Sequence, residues 1–260
     1  MKNKKRKIVL ITGASKGIGK SVCLDFAKQG MQIIGCSRGK KDLNLLKREL
    51  KKINSNQHHL LDIDLIKKNS VDVLFNYIKK NKIYPDIIVN NVGGNLNYTN
   101  PLGLISEWQQ VMRLNVEVAI EINRLCIPHM RKKKWGRICH VSSISALENQ
   151  GPPAYCASKA ALNAYVRSVG RFVSKDNIIM TSIMPGPVFT DDNYWGLAKR
   201  QRPNHVKKFL KDRVAINRFA KVREISNVIS FLCSESSSYC VGTCVLVDGG
   251  QGRTFYPYQF

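Results

Sequence analysis

Tyr155 and Lys159 stand four residues apart in the stretch YCASK, which opens a segment of helical periodicity. At that spacing the two side chains share one helix face, a turn apart. An ammonium near a phenol favours the phenolate and lowers the tyrosine pKa. A phenol tuned toward neutral pH can pass a proton to or from a substrate oxygen. Upstream, GRICHVSS at 136–143 ends an extended run and presents hydroxyls at the same edge. A second constellation lies near the N-terminus, TGASKGIG at 12–19. Gly13, Gly17 and Gly19 let the backbone turn tightly and let a pyrophosphate approach a helix N-terminus, where free N–H groups and the helix dipole favour negative charge. The spacing is G-x-x-x-G-x-G, not the commoner G-x-G-x-x-G, but the strand-loop-helix context is the one the chemistry needs.

The dinucleotide is selected at the end of the second predicted strand. An NAD site places an acid there for the ribose 2′-hydroxyl; here the chain reads Cys36-Ser37-Arg38. Arg38 can make a forked, charge-assisted contact with a 2′-phosphate, Lys16 in the glycine loop can reach the same group, and Ser37 can add a hydroxyl. These residues favour NADP(H).

The elements that must position these groups alternate. Short β-branched apolar runs at 8–11, 32–36, 59–63, 86–90, 137–142, 178–183 and 243–247 read as strands buried on both faces. Between them, 20–29, 41–53, 70–81, 106–130, 155–174 and 225–233 read as helices. Seven strands alternating with helices predict a doubly wound α/β fold, a parallel sheet covered on both faces, in one domain over 1–260. The exception to the rhythm is 186–217, long and rich in aromatic and basic residues. A long excursion in a compact domain is usually functional, and 187–217 is expected to form a lid over substrate.

Composition supports a soluble globular chain, with 43% hydrophobic and 23% charged residues in 260. The net charge of +24 invites a nucleic-acid reading. The lysines, however, are spread over nearly every amphipathic segment, and no zinc spacing, basic zipper or RNA-binding motif accompanies them, so no nucleic-acid partner is expected. Eight cysteines lie scattered, mostly in apolar runs, without metal-ligand spacing; reduced core thiols in a cytoplasmic protein are expected, with no metal. The basic N-terminus leads into an apolar run at 8–11 too short for a signal core, and no run reaches the ~18 residues a membrane helix needs; neither export nor a membrane partner is expected.

Taken together, these motifs resemble the short-chain dehydrogenase/reductase family in its compact single-domain form, over about residues 7–250. The loop at 12–19, with Ser15, Lys16 and Ile18 between its glycines, is similar to the family's cofactor loop. Asp64 matches the acid beside the adenine, and NNVG at 90–93, with Asn91 and Gly93, resembles N-N-A-G. Asn115 matches the catalytic asparagine, Tyr155 and Lys159 the Y-x-x-x-K, Pro185-Gly186 the P-G turn followed by Val188 and Thr190, and VDGG at 247–250 the C-terminal signature. The catalytic serine falls on Ser143 counting from Gly136-Arg137, and on Ser142 counting back from Tyr155; Ser143 is preferred because that run has no gap. The resemblance implies that Tyr155 is the acid/base, that Lys159 lowers its pKa and holds the nicotinamide ribose, that Ser143 holds the substrate oxygen, and that Asn115 binds a water linking Lys159 to solvent.

The substrate is less legible. Tyr194 and Trp195 could stack on a ring, or pack within the lid. Asn95 lies at the sheet's carboxyl edge and is a candidate pocket residue. Arg200, Arg202, Lys207 and Lys208 fit surface charge or an anionic substrate. The pattern is similar to 3-oxoacyl-carrier-protein reductases and to reductase-like proteins of surface-sugar and flagellin-glycosylation pathways. It implies a carbonyl/alcohol couple on a sugar, nucleotide sugar or acyl intermediate. The alternatives are the acyl-carrier reduction itself and a non-catalytic cofactor-sensing or anion-binding protein on the same fold. Relatives assemble through the two long helices and the last strand, so a homotetramer or homodimer is expected, with the aromatic tail at 255–260 packing across a contact or fraying.

Overall fold

The computed structural model describes residues 6–148 and 150–253. The aromatic tail and most of the basic N-terminus lie outside that range.

The chain runs β1 (Ile8–Thr12), α1 (Gly17–Lys28), β2 (Gln32–Ser37), α2 (Lys40–Ile53), β3 (His59–Asp62), α3 (Ser70–Asn81), β4 (Ile87–Asn90), α4 (Ile105–Met112), a π-turn (Arg113–Glu117) and α5 (Val118–Lys133). It continues through β5 (Gly136–Val141), α6 (Ser145–Glu148), α7 (Pro153–Val173), β6 (Ile178–Pro185), α8 (Tyr194–Gln201), α9 (Pro203–Arg213), α10 (Val222–Leu232) and β7 (Cys244–Val247). The strands form one seven-stranded sheet in the order β3-β2-β1-β4-β5-β6-β7, every pair parallel. The order reverses between β1 and β4, and a crevice opens there at the strands' carboxyl ends.

Side-chain alternation along each strand divides the core into two layers. Val9, Ile11, Ile33 and Val89 pack under Val22 and Phe26 of α1, Leu46 and Leu50 of α2, and Ile225 and Ile229 of α10. Leu10, Ile34, Ile88 and Ile138 pack under Leu74 and Ile78 of α3, Ile122 and Cys126 of α5, and Val166 of α7. All eight cysteines are unpaired, and six of them are buried. Among the described residues no helix is long and apolar enough to cross a membrane.

Two elements differ from the sequence expectation. The single helix at 106–130 is interrupted by the π-turn, and 186–217 folds into α8 and α9. Asn193 caps α8, its Oδ1 accepting from the Gly196 N–H at 3.0 Å, and Pro203 opens α9 at a position where a missing N–H costs nothing.

Beneath the crevice the α5/α7 face turns polar along one register row, Asn90 beside His140 beside Ser182. The amide of Asn123 joins them: its Oδ1 accepts from Asn90 at 3.1 Å, and its Nδ2 donates to His140 Nε2 at 3.2 Å and to the Tyr165 hydroxyl at 3.1 Å. Burial, assisted by the nearby Lys159 ammonium, lowers the His140 pKa to about 3. The unfolded chain therefore carries one more proton than the native chain between about pH 3 and its ordinary value near 6.5. The stability due to His140 is full above pH 6.5 and is lost as pH falls toward 3, with a slope of at most ~1.4 kcal/mol per pH unit. Urea melts between about pH 7 and 4 check this, and His140→Asn should make the decline shallower.

Candidate active site

The glycine loop is held by the end of β4. Thr12 Oγ1 accepts from the N–H groups of Asn91 and Val92, each at 2.9 Å, and Asn91 Nδ2 donates to the carbonyls of Thr12 at 2.9 Å and Gly13 at 3.1 Å. Gly13 adopts φ +63°, in the left-handed region, and a Cβ on Gly19 would stand 2.1 Å from the Gly13 carbonyl oxygen. Only glycine permits that approach. No side chain caps α1, so its first N–H groups are left to a ligand.

Beside this cradle lies a cavity of about 230 Å³ lined by Gly13, Ser37, Arg38, Asp64, Asn91 and Gly93, among others. Ser15 and Ser37 share a 2.7 Å hydroxyl contact at its edge. The cradle, the open helix terminus and the cavity with its arginine fit a dinucleotide, with the adenosine end toward Arg38 and Asp64. Asn91 lines the cavity but spends its amide on the loop, and Ile18 packs against the core. No acid follows β2, as the sequence indicates. Carboxylates nevertheless arrive from elsewhere: Asp62 accepts from the Gly39 N–H at 3.0 Å, and Lys16 is paired with Asp42 and Asp192.

Tyr155 and Lys159 occupy the first turns of α7. Lys159 is buried, with Nζ donating to the Val141 carbonyl at 2.8 Å and standing 5.5 Å from the Tyr155 ring centroid. Ser143, whose Oγ accepts from the Ser145 N–H at 3.1 Å, lies near enough to the Tyr155 hydroxyl to favour its ionised form. Ser142 is buried under α7 and donates to the Lys159 carbonyl at 3.4 Å. The geometry thus brings Ser143, not Ser142, to the phenol. The expected direction of the phenol's shift is corrected here. Burial raises the Tyr155 pKa, and Ser143 only partly opposes it. Burial also lowers Lys159 to about 7, so a large part of its positive charge is withdrawn at neutral pH.

Asn115 sits in the π-turn, an extra-wide turn of the kind that re-aims side chains. Its amide holds the loop after β4: Nδ2 donates to the carbonyls of Gly94 at 2.8 Å and Val111 at 2.9 Å, and Oδ1 accepts from the Gly94 N–H at 3.1 Å. A Cβ on Gly93 would lie 2.7 Å from Asn115 Oδ1 and 3.0 Å from Lys159 Nζ, so Gly93 separates the two side chains closely.

At the end of β6, Pro185 is buried, and the next residue, Gly186, presses on Asp248, where a Cβ would come within 2.7 Å of the backbone. Val188 bridges to Ala220, and Thr190 reaches the glycine loop, its Cγ2 3.6 Å from a Cβ built on Gly17. The candidate substrate residues divide. Trp195 is half-buried and packs on Phe209 at 4.4 Å and on Phe219 at 5.3 Å. Tyr194 is exposed, and Asn95 turns its Oδ1 to the Asn97 N–H at 3.0 Å, closing a local turn. Sequence reasoning missed a second cavity, of about 390 Å³, lined by Gln150, His205, Phe209 and Arg213 among others. Its Gln150 precedes Gly151, where a Cβ would lie 3.7 Å from the Tyr155 ring. Only the sequence-distant packing of α9 on the loop after α6 creates it, so no local signal could have found it.

The model of the short chain dehydrogenase family matches residues 7–195. The L-sorbose reductase of Gluconobacter frateurii, solved with NADPH and L-sorbose, superposes with a TM-score of 0.89 at 32% identity, covering 96% of this chain and 98% of that one. The L-xylulose reductase of Caenorhabditis elegans is 34% identical over 249 residues, 94% of this chain and 95% of its own. The 3-oxoacyl-[acyl-carrier-protein] reductase of Pseudomonas aeruginosa is 29% identical over 247 residues, 94% of this chain and 96% of its own. The chain belongs to the short-chain dehydrogenase family. It is an oxidoreductase of the compact, single-domain kind.

The buried ammonium generates a prediction. Lys159→Met should leave the fold at least as stable as wild type at pH 7, with a gain of ~1–3 kcal/mol, because it removes a desolvated, partly charged group. Urea melts of the two proteins measure the difference.

Proposed function

We propose that the chain interconverts a carbonyl and a secondary alcohol using NADP(H), with Tyr155 as acid/base. The observation that carries this reading is Tyr155 with Lys159 one turn on, its Nζ 5.5 Å from the phenol ring, and Ser143 beside them, next to a glycine cradle and an Arg38-lined cavity. Gly13, Ser15, Gly17 and Gly19 would hold the pyrophosphate. Ser37, Arg38 and Lys16 would hold the 2′-phosphate, Asp64 the adenine edge, and Val188 and Thr190 the nicotinamide side. When bound, the nicotinamide supplies or accepts the hydride.

The protein's own contribution is protonic and electrostatic. A phenol held above its ordinary pKa stays protonated through neutral pH and is poised to give its proton to a substrate oxygen that gains charge. The Ser143 hydroxyl can donate to that oxygen or to the phenolate left behind. Lys159, titrating near 7, carries enough charge to favour the phenolate and enough free base to exchange its proton. Asn115 fixes the loop at 93–94 and so keeps the ammonium from being displaced.

For the substrate, a polyhydroxylated carbonyl is favoured. Two relatives above 30% identity over nearly the whole chain are reductases of L-sorbose and L-xylulose. An acyl-carrier thioester is the second reading, carried by the resemblance to the Pseudomonas reductase. The segment 187–217 would act as the lid. A cytoplasmic homotetramer or homodimer is proposed with it, supported by exposed Leu104 and Ile105 at the start of α4, Phe172 on α7 and Tyr239 ahead of β7.

A panel of ketoses, nucleotide sugars and acetoacetyl thioesters, followed by nicotinamide absorbance with each cofactor, tests the assignment. Oxidation of NADPH but not NADH by a ketose is expected, and no turnover of any carbonyl with either cofactor refutes it. Tyr155→Phe should lower kcat by ~10²–10⁴-fold while leaving NADPH binding intact; an unchanged rate would favour the cofactor-sensing alternative. Reduction should hold its rate through neutral pH and fall as the raised phenol ionises in alkali, whereas oxidation should climb over the same range.

A further inference from the structure

Lys16 is the cation of the glycine loop, and it is already engaged. Its Nζ lies 3.3 Å from Asp42 and 3.1 Å from Asp192. The two carboxylates have different origins. Asp42 belongs to the first turn of α2, next to the Ser37-Arg38 turn, and its Oδ2 would lie 3.6 Å from a Cβ on Gly39. Asp192 belongs to the root of the 187–217 segment, two residues after Thr190 and immediately before the Asn193 cap of α8. Among the described residues Lys16 is the only cation within ion-pair distance of Asp192. Hydrogen bonds and charge from Asp192 and then Asp42 hold the Lys16 pKa above its ordinary value.

The same ammonium is the one the proposed function assigns to the cofactor's 2′-phosphate, with Ser37 and Arg38. A phosphate dianion and the Asp192 carboxylate cannot both be served fully by one Lys16, and placed side by side they repel. We propose that Asp192 is a cofactor-specificity residue that competes with the 2′-phosphate for Lys16, so that a phosphorylated nucleotide frees the root of the 187–217 segment from the glycine loop and an unphosphorylated one leaves it tied. Asp42 weakens phosphate binding by the same charge but is fixed on α2, so it cannot convey the event to the segment. By reciprocity, whatever the 2′-phosphate does to the Lys16–Asp192 pair, that pair does to phosphate affinity. The inference rests on the proposed NADP(H) reading.

The test is a binding cycle with no turnover in it. NADPH and NADH are titrated against wild type, Asp192→Asn, Lys16→Gln and the double variant. Backbone hydrogen exchange over 190–196 is followed with 2′,5′-ADP and with 5′-AMP, two probes that differ only in the 2′-phosphate. Asp192→Asn should tighten NADPH by about three-fold, as expected for an exposed charge pair, and leave NADH unchanged. The gain should disappear in the Lys16→Gln background and shrink at high salt. Exchange at 190–196 should rise with 2′,5′-ADP and not with 5′-AMP, and Asp42→Asn should tighten NADPH without altering that response. A gain for both nucleotides, a gain that survives the loss of Lys16, no gain at all, or identical exchange with the two probes overturns the inference. A wild-type protein that binds neither nicotinamide nucleotide overturns the proposed function along with it; one that binds NADPH but is indifferent to Asp192→Asn overturns this inference alone.

Discussion

The rest of the site depends on keeping an amine in a place water cannot reach. Lys159 is buried against β5, and among the described residues its Nζ has one hydrogen-bond acceptor, the Val141 carbonyl. An ammonium in such surroundings is costly unless it sheds its proton or gains partners. The surrounding chain shows how both responses are arranged. The π-turn brings Asn115 alongside, Gly93 passes between the amide and the amine because no larger residue fits, and the polar row of Asn90, His140 and Ser182 lies directly below. A neutral imidazole beneath the amine adds dipole without adding charge.

This constraint explains why the phenol behaves differently from a simple ion-pair picture. Proximity along a helix suggests that a cation should depress the tyrosine. In the folded chain both groups are stripped of water. Desolvation acts on each separately, lifting the phenol and lowering the amine, so two proton affinities that are close in water move apart. The proton therefore stays on the phenol, the state that can donate it to a substrate oxygen.

The sheet was readable because each strand is a short β-branched run between glycine, asparagine or lysine punctuation, and such runs have few other places to go than the centre of a parallel sheet. The helix at 70–81 has the limits its periodicity indicates. The interruption at Arg113–Glu117 was not readable, since the apolar face continues across it and only the buried Asn115 requires the wider turn. The two helices inside 186–217 had signals, Asn193 ahead of an aromatic pair and Pro203 at a first-turn position, but the basic residues around them mask any apolar stripe. Of the site, the glycine loop and the Tyr155–Lys159 pair follow from local spacing. The use of Asn91 on the loop, the ion pairs of Lys16 and the packing of Trp195 depend on contacts between residues far apart in sequence, and spacing carries no information about those.

The stitch between Thr12 and Asn91 has a consequence for how the molecule comes into being. The loop that receives the pyrophosphate takes its shape from carbonyls bound by an amide nearly eighty positions later in the chain. A polypeptide still emerging from the ribosome with its first strand, helix and second strand complete has the glycines but not the clamp. Nucleotide cannot act as a chaperone for that early fragment; its stabilising pull begins only after the fourth strand has docked and the central crevice exists.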